Sequence, residues 1–259
     1  MPFVDLAGAR FHYRIDGPAA APVVMFSNSL GTDLAMWESQ LPSFTTRYRV
    51  LRYDTRGHGE SAVTSGPYTI EQLARDALAL LDALGLERVN FCGLSLGGMV
   101  GQWLGAHAPS RLGRLVLANT TAKIGSPETY NARIDAVHNG GMVAITDAVI
   151  ARWFTPAFLT ASPTAVARVR VMLDGTPPDG YIACCEAIRD MDQRETIGVI
   201  GVPTLVIAGT HDIPTPPADG RFLADRIKDA RYVELPAAHL SNIEAAPAFT
   251  AALSNFLNA

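Results

Sequence analysis

A serine flanked by glycines is the residue of this chain best suited to nucleophilic chemistry. Ser95 lies in the segment Gly93-Leu94-Ser95-Leu96-Gly97, between an apolar run and a stretch of helical periodicity. A serine on a sharp turn from strand to helix has strained backbone geometry, and side chains two residues to either side would collide with the neighbouring backbone. Such a turn exposes the hydroxyl and aims the N–H of Leu96 at the group under attack. The pattern therefore predicts a nucleophile beside a donor for developing negative charge.

Two further residues could activate this serine. A serine hydroxyl needs a neutral imidazole to take its proton, and the imidazole needs a buried carboxylate to orient it. Asp212 and His239 each follow a predicted buried strand directly, as Ser95 does. Because the carboxyl ends of parallel strands share one edge of a sheet, the three residues can converge there. We predict His239 as the general base and Asp212 as the group that orients it.

Other titratable residues compete for these roles. His211 adjoins Asp212 but lies on the turn that must present the acid, so we interpret it as a loop histidine. Asp54 also ends a strand, but the arginine and the histidine beside it suggest a structural ion pair. We interpret His58 as an architectural part of that turn, because such residues in tight turns usually satisfy backbone groups.

Strands and helices alternate along most of the chain. Residues 3–16 alternate in polarity, which indicates an antiparallel strand or hairpin with one solvent-facing side that carries His12. A capping box at Thr69 predicts a helix that Gly85 ends. Buried strands are predicted by apolar runs at 23–26, 50–54, 88–92, 115–118, 204–208 and 232–235. Strands separated by helices imply an α/β fold with a mostly parallel central sheet, covered by helices on both faces.

The character of the sequence changes between residues 123 and 200. Apolar residues recur there at helical spacing, and the segment contains no run that predicts a buried strand. A parallel sheet tolerates insertions where its strands end in loops. We therefore predict a core domain formed by residues 1–122 and 201–259, with an inserted helical cap at 123–200.

Composition excludes several classes of partner. The chain has 259 residues and a formal net charge of -4, which argues against a nucleic-acid or anionic membrane surface. The N-terminus lacks a basic region followed by an apolar run, and no stretch approaches the length of a membrane span. The expected compartment is the cytoplasm. We interpret Cys92, Cys184 and Cys185 as reduced structural thiols, since three cysteines cannot form a disulfide framework.

Several segments together resemble the α/β-hydrolase superfamily. They are 27–33 (SNSLGTD), 53–61 (YDTRGHGES), 93–98 (GLSLGG), 209–212 (GTHD) and 238–244 (AHLSNIE). The order Ser, Asp, His is also that of the triads in this superfamily. More narrowly, the chain resembles the 3-oxoadipate enol-lactonases of the β-ketoadipate pathway of aromatic catabolism, chiefly through the first segment and the cap. Many other members have His-Gly where this chain has Asn28-Ser29.

The resemblance implies a reaction and an oxyanion hole. An enol-lactone would be hydrolysed to 3-oxoadipate through an acyl-enzyme on Ser95, without a metal or an organic cofactor. The N–H groups of Leu30 and Leu96 would form the oxyanion hole, and both lie where the residues alone would put such donors. A carboxylesterase, a carbon–carbon bond hydrolase and a cofactor-free perhydrolase remain alternatives. Outside the enzymes, the alternative is a ligand sensor on the same scaffold.

The implied lactone carries a free carboxymethyl group, which loses hydration in an apolar pocket unless cationic or backbone donors replace it. The basic residues of the cap are Lys123, Arg133, Arg152, Arg168, Arg170, Arg189 and Arg194. We select Arg133 because it lies on the first cap segment beside the apolar Ile134 and Val137, and Trp153 as a flat apolar companion for the ring. The expected partner is a small lactone or ester that carries a carboxylate. The sequence predicts no oligomeric state.

Overall fold

An eight-stranded sheet runs through the centre of the computed structural model, which describes residues 2–6 and 8–259. The strands are β1 (Phe3–Leu6), β2 (Ala9–Asp16), β3 (Val23–Ser27), β4 (Arg49–Tyr53), β5 (Val89–Leu94), β6 (Leu112–Ala118), β7 (Thr204–Gly209) and β8 (Arg231–Leu235). Their spatial order is β1-β2-β4-β3-β5-β6-β7-β8. β1 and β2 form an antiparallel hairpin, and β2 is also antiparallel to β4. Every later pairing is parallel, which confirms the predicted α/β class.

The helices connect these strands. They are α1 (Leu41–Phe44), α2 (Ile70–Ala83), α3 (Leu96–His107), α4 (Pro127–Gly140), α5 (Val143–Trp153), α6 (Pro156–Ala161), α7 (Pro163–Asp174), α8 (Pro178–Asp190), α9 (Pro217–Arg226), α10 (Ser241–Glu244) and α11 (Ala246–Asn258). Thr69 caps α2 as the capping pattern predicts, because its hydroxyl accepts from the N–H of Gln72 at 3.0 Å. None of the helices in the described ranges is long and apolar enough to cross a membrane.

The interior of the sheet is apolar, as a sheet covered on both faces requires. The middle residues of β3, β4 and β5 are almost wholly inaccessible, and α2, α3 and α11 each bury one apolar face against the sheet. All three cysteines are buried free thiols. Burial raises the pKa of the Cys185 thiol to about 12, so this group stays protonated at neutral pH.

The prediction that His12 lies at the surface is wrong. Its side chain is buried, and Nδ1 lies 2.7 Å from Oδ2 of Asp54. The polar side of β2 is covered by the turn that follows β4: the N–H of Ala62 donates to Arg10 O, and Ser61 accepts from the N–H of His12. Asp54 does pair with a histidine, but with His12 rather than with a neighbour in its own turn.

Helices α4 to α8 lie between β6 and β7 in sequence. The segment starts and finishes side by side, because Lys123 and Asp192 form an isolated antiparallel bridge. This bridge is the only β pairing within 123–200, all of which the structure describes. The helices therefore form one insertion, in which the chain leaves the sheet after β6 and returns to it at β7. The division into a core and a cap at 123–200 stays a prediction.

Candidate active site

Ser95 occupies the turn between β5 and α3 in strained backbone geometry. Its φ of 57° and ψ of -112° lie outside the regions that serine normally adopts. The turn can be this tight only because glycines flank it: a Cβ on Gly93 would lie 2.0 Å from the carbonyl oxygen of Gly97, and one on Gly97 2.2 Å from that of Ser27. The Ser95 N–H donates to Ala118 O at 2.9 Å, which fixes the turn against β6. The strain is therefore imposed by the surrounding structure.

Asp212 and His239 form a hydrogen-bonded pair beside this turn. His239 Nδ1 lies 3.0 Å from both carboxylate oxygens of Asp212, and both residues are buried. Burial alone would raise the pKa of Asp212, but the imidazole and the donors from Thr215 and Asn119 hold it below its ordinary value. An ionised carboxylate can only accept, so Nδ1 carries the proton and Nε2 is left as an acceptor.

Two neighbours orient the carboxylate. Thr215 donates its N–H to Oδ1 at 2.9 Å and its hydroxyl to Oδ2 at 2.7 Å. Asn119 donates its side-chain amide to Oδ2 at 2.8 Å, and its own oxygen accepts from the Ser241 hydroxyl at 2.5 Å. Asn119 directly follows β6 and has a φ of 45°, a left-handed conformation that asparagine tolerates better than most residues. The sequence analysis missed this network, for which only the position of Asn119 after a strand gave a signal.

Two backbone N–H groups near Ser95 are free. Leu96 begins α3 directly after Ser95, and Leu30 lies on the loop that follows β3. Among the described residues, neither Leu30 N–H nor Leu96 N–H has a hydrogen-bond partner. The loop is close to the nucleophile turn, because the N–H of Gly97 donates to Asn28 O at 2.9 Å. The two donors predicted as an oxyanion hole are thus available to a ligand.

The loop after β3 is held by several fixed contacts. The N–H of Gly31 donates to Nε2 of His58 at 2.9 Å, and Asn28 bonds the Trp37 indole and the carbonyl of Tyr53. His58 is fully buried, and this burial lowers its pKa to about 4. His58 is therefore a neutral acceptor at neutral pH, in line with its predicted architectural role. Because Gly31 directly follows Leu30, the hydrogen bond from Gly31 to His58 also fixes the loop beside the Leu30 N–H.

A cavity brings most of the predicted residues together. Its lining includes Ser95, His239 and Leu30 from the sheet side, with Arg133, Arg152 and Trp153 from α4 and α5. Trp153 stacks toward the His239 ring, with 6.5 Å between ring centroids and 26° between planes. Asp212 and Leu96 are not part of this lining. One cavity therefore gives a small molecule access to the residues predicted as nucleophile and base, and their catalytic roles stay predictions.

The electrostatics of the cavity depend on two arginines. Lys123, Arg170, Arg189 and Arg194 are in exposed or half-exposed ion pairs, and Arg168 is exposed outside the cavity. By contrast, no carboxylate of the described residues lies within 4 Å of the Arg133 or Arg152 guanidinium. Arg133 is half-buried and reaches the Tyr181 hydroxyl at 3.5 Å. The cavity therefore favours an anionic ligand, and Arg152 is a lining residue that the sequence analysis did not single out.

The fold and the match to known families identify the class. A model described as alpha/beta hydrolase fold matches residues 22–246, and the chain belongs to the α/β-hydrolase family. It is 43% identical to 3-oxoadipate enol-lactonase 2 of Acinetobacter baylyi, over 93% of this chain and 91% of the relative. The crystal structure of the enol-lactonase from Burkholderia xenovorans LB400 superposes with a TM-score of 0.98 and 49% identity, covering 100% of both chains.

A more distant relative carries another name. A protein of Variovorax paradoxus named as a RutD carbamate hydrolase is 33% identical over 95% of each chain. Two of these relatives are named enol-lactonases and the third a carbamate hydrolase, and both activities are hydrolytic. The chain is accordingly an enzyme of the hydrolase class with strong similarity to enol-lactonases.

Proposed function

We propose that this protein hydrolyses 3-oxoadipate enol-lactone to 3-oxoadipate, through an acyl-enzyme on Ser95. The observation that carries the proposal is the joint occurrence of a strained serine, an oriented histidine and two unpaired arginines in one cavity. The relatives named as enol-lactonases match nearly the whole chain, including the helical segment that supplies the arginines. In this proposal, residues 123–200 form a cap over a core of residues 1–122 and 201–259.

The reaction begins at the ring carbonyl. Ser95 Oγ attacks this carbon while His239 Nε2 takes the hydroxyl proton, and Asp212 stabilises the resulting imidazolium. The oxyanion accepts hydrogen bonds from the N–H groups of Leu30 and Leu96. As the tetrahedral intermediate collapses, the bond to the ring oxygen breaks, and His239 returns the proton to the departing enol oxygen. A water molecule activated by His239 then releases the acyl group as a carboxylate. The enol formed at ring opening tautomerises to the ketone, which gives 3-oxoadipate.

Arg133 holds the substrate carboxylate in this proposal. A carboxylate loses hydration as it enters the cavity, and a guanidinium without a protein carboxylate can replace the lost hydrogen bonds. Arg152 lies in the same lining and supplies a second positive charge. Trp153 provides an apolar wall between Arg152 and His239 that suits a flat ring.

A kinetic comparison tests the substrate. We expect kcat/KM for 3-oxoadipate enol-lactone to exceed that for p-nitrophenyl acetate and for a simple alkyl carbamate, since only the lactone carries a carboxylate for the arginines. Ser95→Ala should abolish turnover of all three compounds. A lactone rate no better than the ester rate would refute the lactonase assignment and favour a carboxylesterase. A preference for the carbamate would favour the activity named for the RutD relative, and equal rates for wild type and Ser95→Ala would favour a sensor.

A further inference from the structure

Ser29 carries a buried hydroxyl that none of the described residues uses. The residue is 2% exposed, and it lines the same cavity as Ser95 and His239. Among residues 2–6 and 8–259, its Oγ has no hydrogen-bond partner. A buried hydroxyl without a partner costs about 1–3 kcal/mol of stability, and native proteins leave few such groups. Of the unpaired buried polar atoms in these ranges, the Ser29 hydroxyl is the one on a residue that lines the cavity, so it is free to bond a group that arrives with the substrate.

The backbone of Ser29 is fully engaged, so the residue is held in place. Its N–H donates to the Met36 sulfur at 3.3 Å, and its carbonyl oxygen accepts from the N–H and the hydroxyl of Thr32 at 3.2 and 2.8 Å. Nearby hydroxyls are used by the protein: Thr215 donates to Asp212, and Thr120 donates to Ser95 O at 2.8 Å. Ser29 differs from them in having a fixed backbone and a free side chain.

We propose that Ser29 Oγ donates a third hydrogen bond to the oxyanion, beside the N–H groups of Leu30 and Leu96. This inference rests on the proposed acyl-enzyme chemistry, but not on the identity of the acyl substrate. Ser29 lines the cavity and directly precedes Leu30, so its buried hydroxyl belongs to the residue next to one of the proposed oxyanion donors. Its proton stays on Ser29 throughout, so the bond strengthens as negative charge grows and no proton is transferred.

The Ser29→Ala variant tests the proposal. Loss of one oxyanion-hole donor typically lowers kcat by about 10²- to 10³-fold. Because two backbone donors remain, we expect a fall of about 10- to 100-fold in kcat with KM changed less than about twofold. Tm should stay unchanged or rise, since no protein hydrogen bond is lost. The affinity for an alkyl trifluoromethyl ketone, which forms a tetrahedral adduct with an active serine, should fall in parallel with kcat.

Ser27→Ala is the matched control. Ser27 is a buried serine two residues earlier, and its hydroxyl bonds the Tyr53 hydroxyl at 2.9 Å. It is absent from the cavity lining. This variant should show the opposite behaviour, with a lower Tm and with kcat and ketone affinity within about twofold of wild type. The contrast separates a hydroxyl that binds the oxyanion from one that only supports the loop.

The outcomes are distinguishable from failure of the proposed function. p-Nitrophenyl acetate forms an oxyanion without a carboxylate, so the Ser29→Ala loss should appear with this ester even if the lactone is a poor substrate. The affinity for the trifluoromethyl ketone tests the same hydrogen bond from Ser29 without turnover. Unchanged kcat and ketone affinity in Ser29→Ala would overturn the inference. An increase in KM alone, or a Tm loss as large as that of Ser27→Ala with full kcat, would also overturn it.

Discussion

Asp212 is the most heavily hydrogen-bonded side chain of the site. Its two oxygens accept from His239, Thr215 and Asn119, and only an ionised carboxylate can accept from all of these donors at once. The depressed pKa of Asp212 means that the carboxylate stays ionised at any pH at which the protein functions near neutrality. Its charge then fixes the Nδ1–H tautomer of His239.

The Asp212→Asn variant removes the negative charge of this side chain but keeps nearly the same shape. The amide NH2 would face either the Thr215 N–H, at the Oδ1 position, or the Asn119 amide and the Thr215 hydroxyl, at the Oδ2 position. The variant would also favour the wrong imidazole tautomer. We expect kcat to fall by about 10³- to 10⁴-fold, as in measured triads, while circular dichroism shows a folded protein. Asp225→Asn, at an exposed position of α9, is the control and should keep wild-type kcat. Near-normal activity in Asp212→Asn would mean that another carboxylate orients His239.

The arginines give a second residue-scale prediction. Arg133→Ala and Arg152→Ala should each raise KM for the lactone by about 10-fold or more, because a charge-assisted hydrogen bond contributes about 1.5–3 kcal/mol. KM for p-nitrophenyl acetate should change little, since this ester has no carboxylate. Steady-state kinetics with both substrates check this, and Arg168→Ala serves as the exposed control. An equal effect on both substrates would indicate damaged packing of α4 and α5 instead.

The triad residues that the sequence predicts share one feature, which is their position directly after an apolar run. Ser95, Asp212 and His239 each follow an apolar run, and the topology of a parallel sheet brings such positions to one edge. Their catalytic roles stay predictions. Arg152 and Ser29 have no comparable signal, because only tertiary packing decides whether an arginine on a helix or a serine in a loop faces a cavity. Arg133 was selected by its place on the first cap segment, and it does line the cavity.

At the scale of elements, the turn after β4 supports the loop after β3. Asp54 accepts from the N–H of Leu34 at 2.8 Å, and His58 accepts from that of Gly31 at 2.9 Å. The sequence showed that this turn is rich in hydrogen-bonding side chains but not which element they serve. The prediction that His12 lies at the surface is wrong for the same reason. Alternation along a strand indicates an apolar and a polar face, but it does not show that a turn distant in sequence covers the polar face.

The buried His58 predicts a specific dependence of stability on pH. Its pKa is about 4 in the folded protein against 6.5 in the unfolded chain, so the unfolded state binds the proton first as pH falls. Stability should be complete above pH 6.5 and should decrease between pH 6.5 and about 4, by about 3 kcal/mol in total. Urea unfolding at a series of pH values measures this.

The variant His58→Gln isolates the effect. Glutamine can still accept from Gly31 but does not titrate, so the loss of stability in this window should shrink relative to wild type. His138→Gln, at an exposed position of α4, should keep the full wild-type slope. Identical slopes for His58→Gln and wild type would show that His58 does not carry the dependence.

At the scale of the whole molecule, the site exists only where the helical segment meets the sheet. Ser95 and His239 come from the sheet edge, and the arginines come from α4 and α5. Two contacts tie these parts together near His239. Glu244 accepts from Ala238 N–H at 2.9 Å and also from the Thr155 hydroxyl, and Leu240 N–H donates to Trp153 O at 3.2 Å. The sequence predicted a helical insertion, but the register of its packing on the sheet depends on such long-range contacts.

A further close approach between these parts is between two backbones, those of Gly180 and Gly57. A Cβ on Gly180, in the first turn of α8, would lie 2.2 Å from the carbonyl oxygen and 2.5 Å from the Cα of Gly57. Neither atom can rotate away, as the end of a side chain could. Alanine at an open helix position is more stable than glycine by about 0.5–1 kcal/mol, so a purely local account predicts that Gly180→Ala stabilises the protein.

We expect Gly180→Ala to do the opposite and to lower the free energy of unfolding by about 1–3 kcal/mol, because α8 must move away from the turn after β4. Tyr181 is the next residue and contacts Arg133, so KM for the lactone should rise while KM for p-nitrophenyl acetate changes less. Gly198→Ala is the control, since its Cβ would lie no nearer than 3.9 Å to any atom beyond its own turn and its chain neighbours. Urea unfolding and steady-state kinetics measure both effects. A Gly180→Ala variant as stable as wild type would show that the helical segment is free to shift on the sheet.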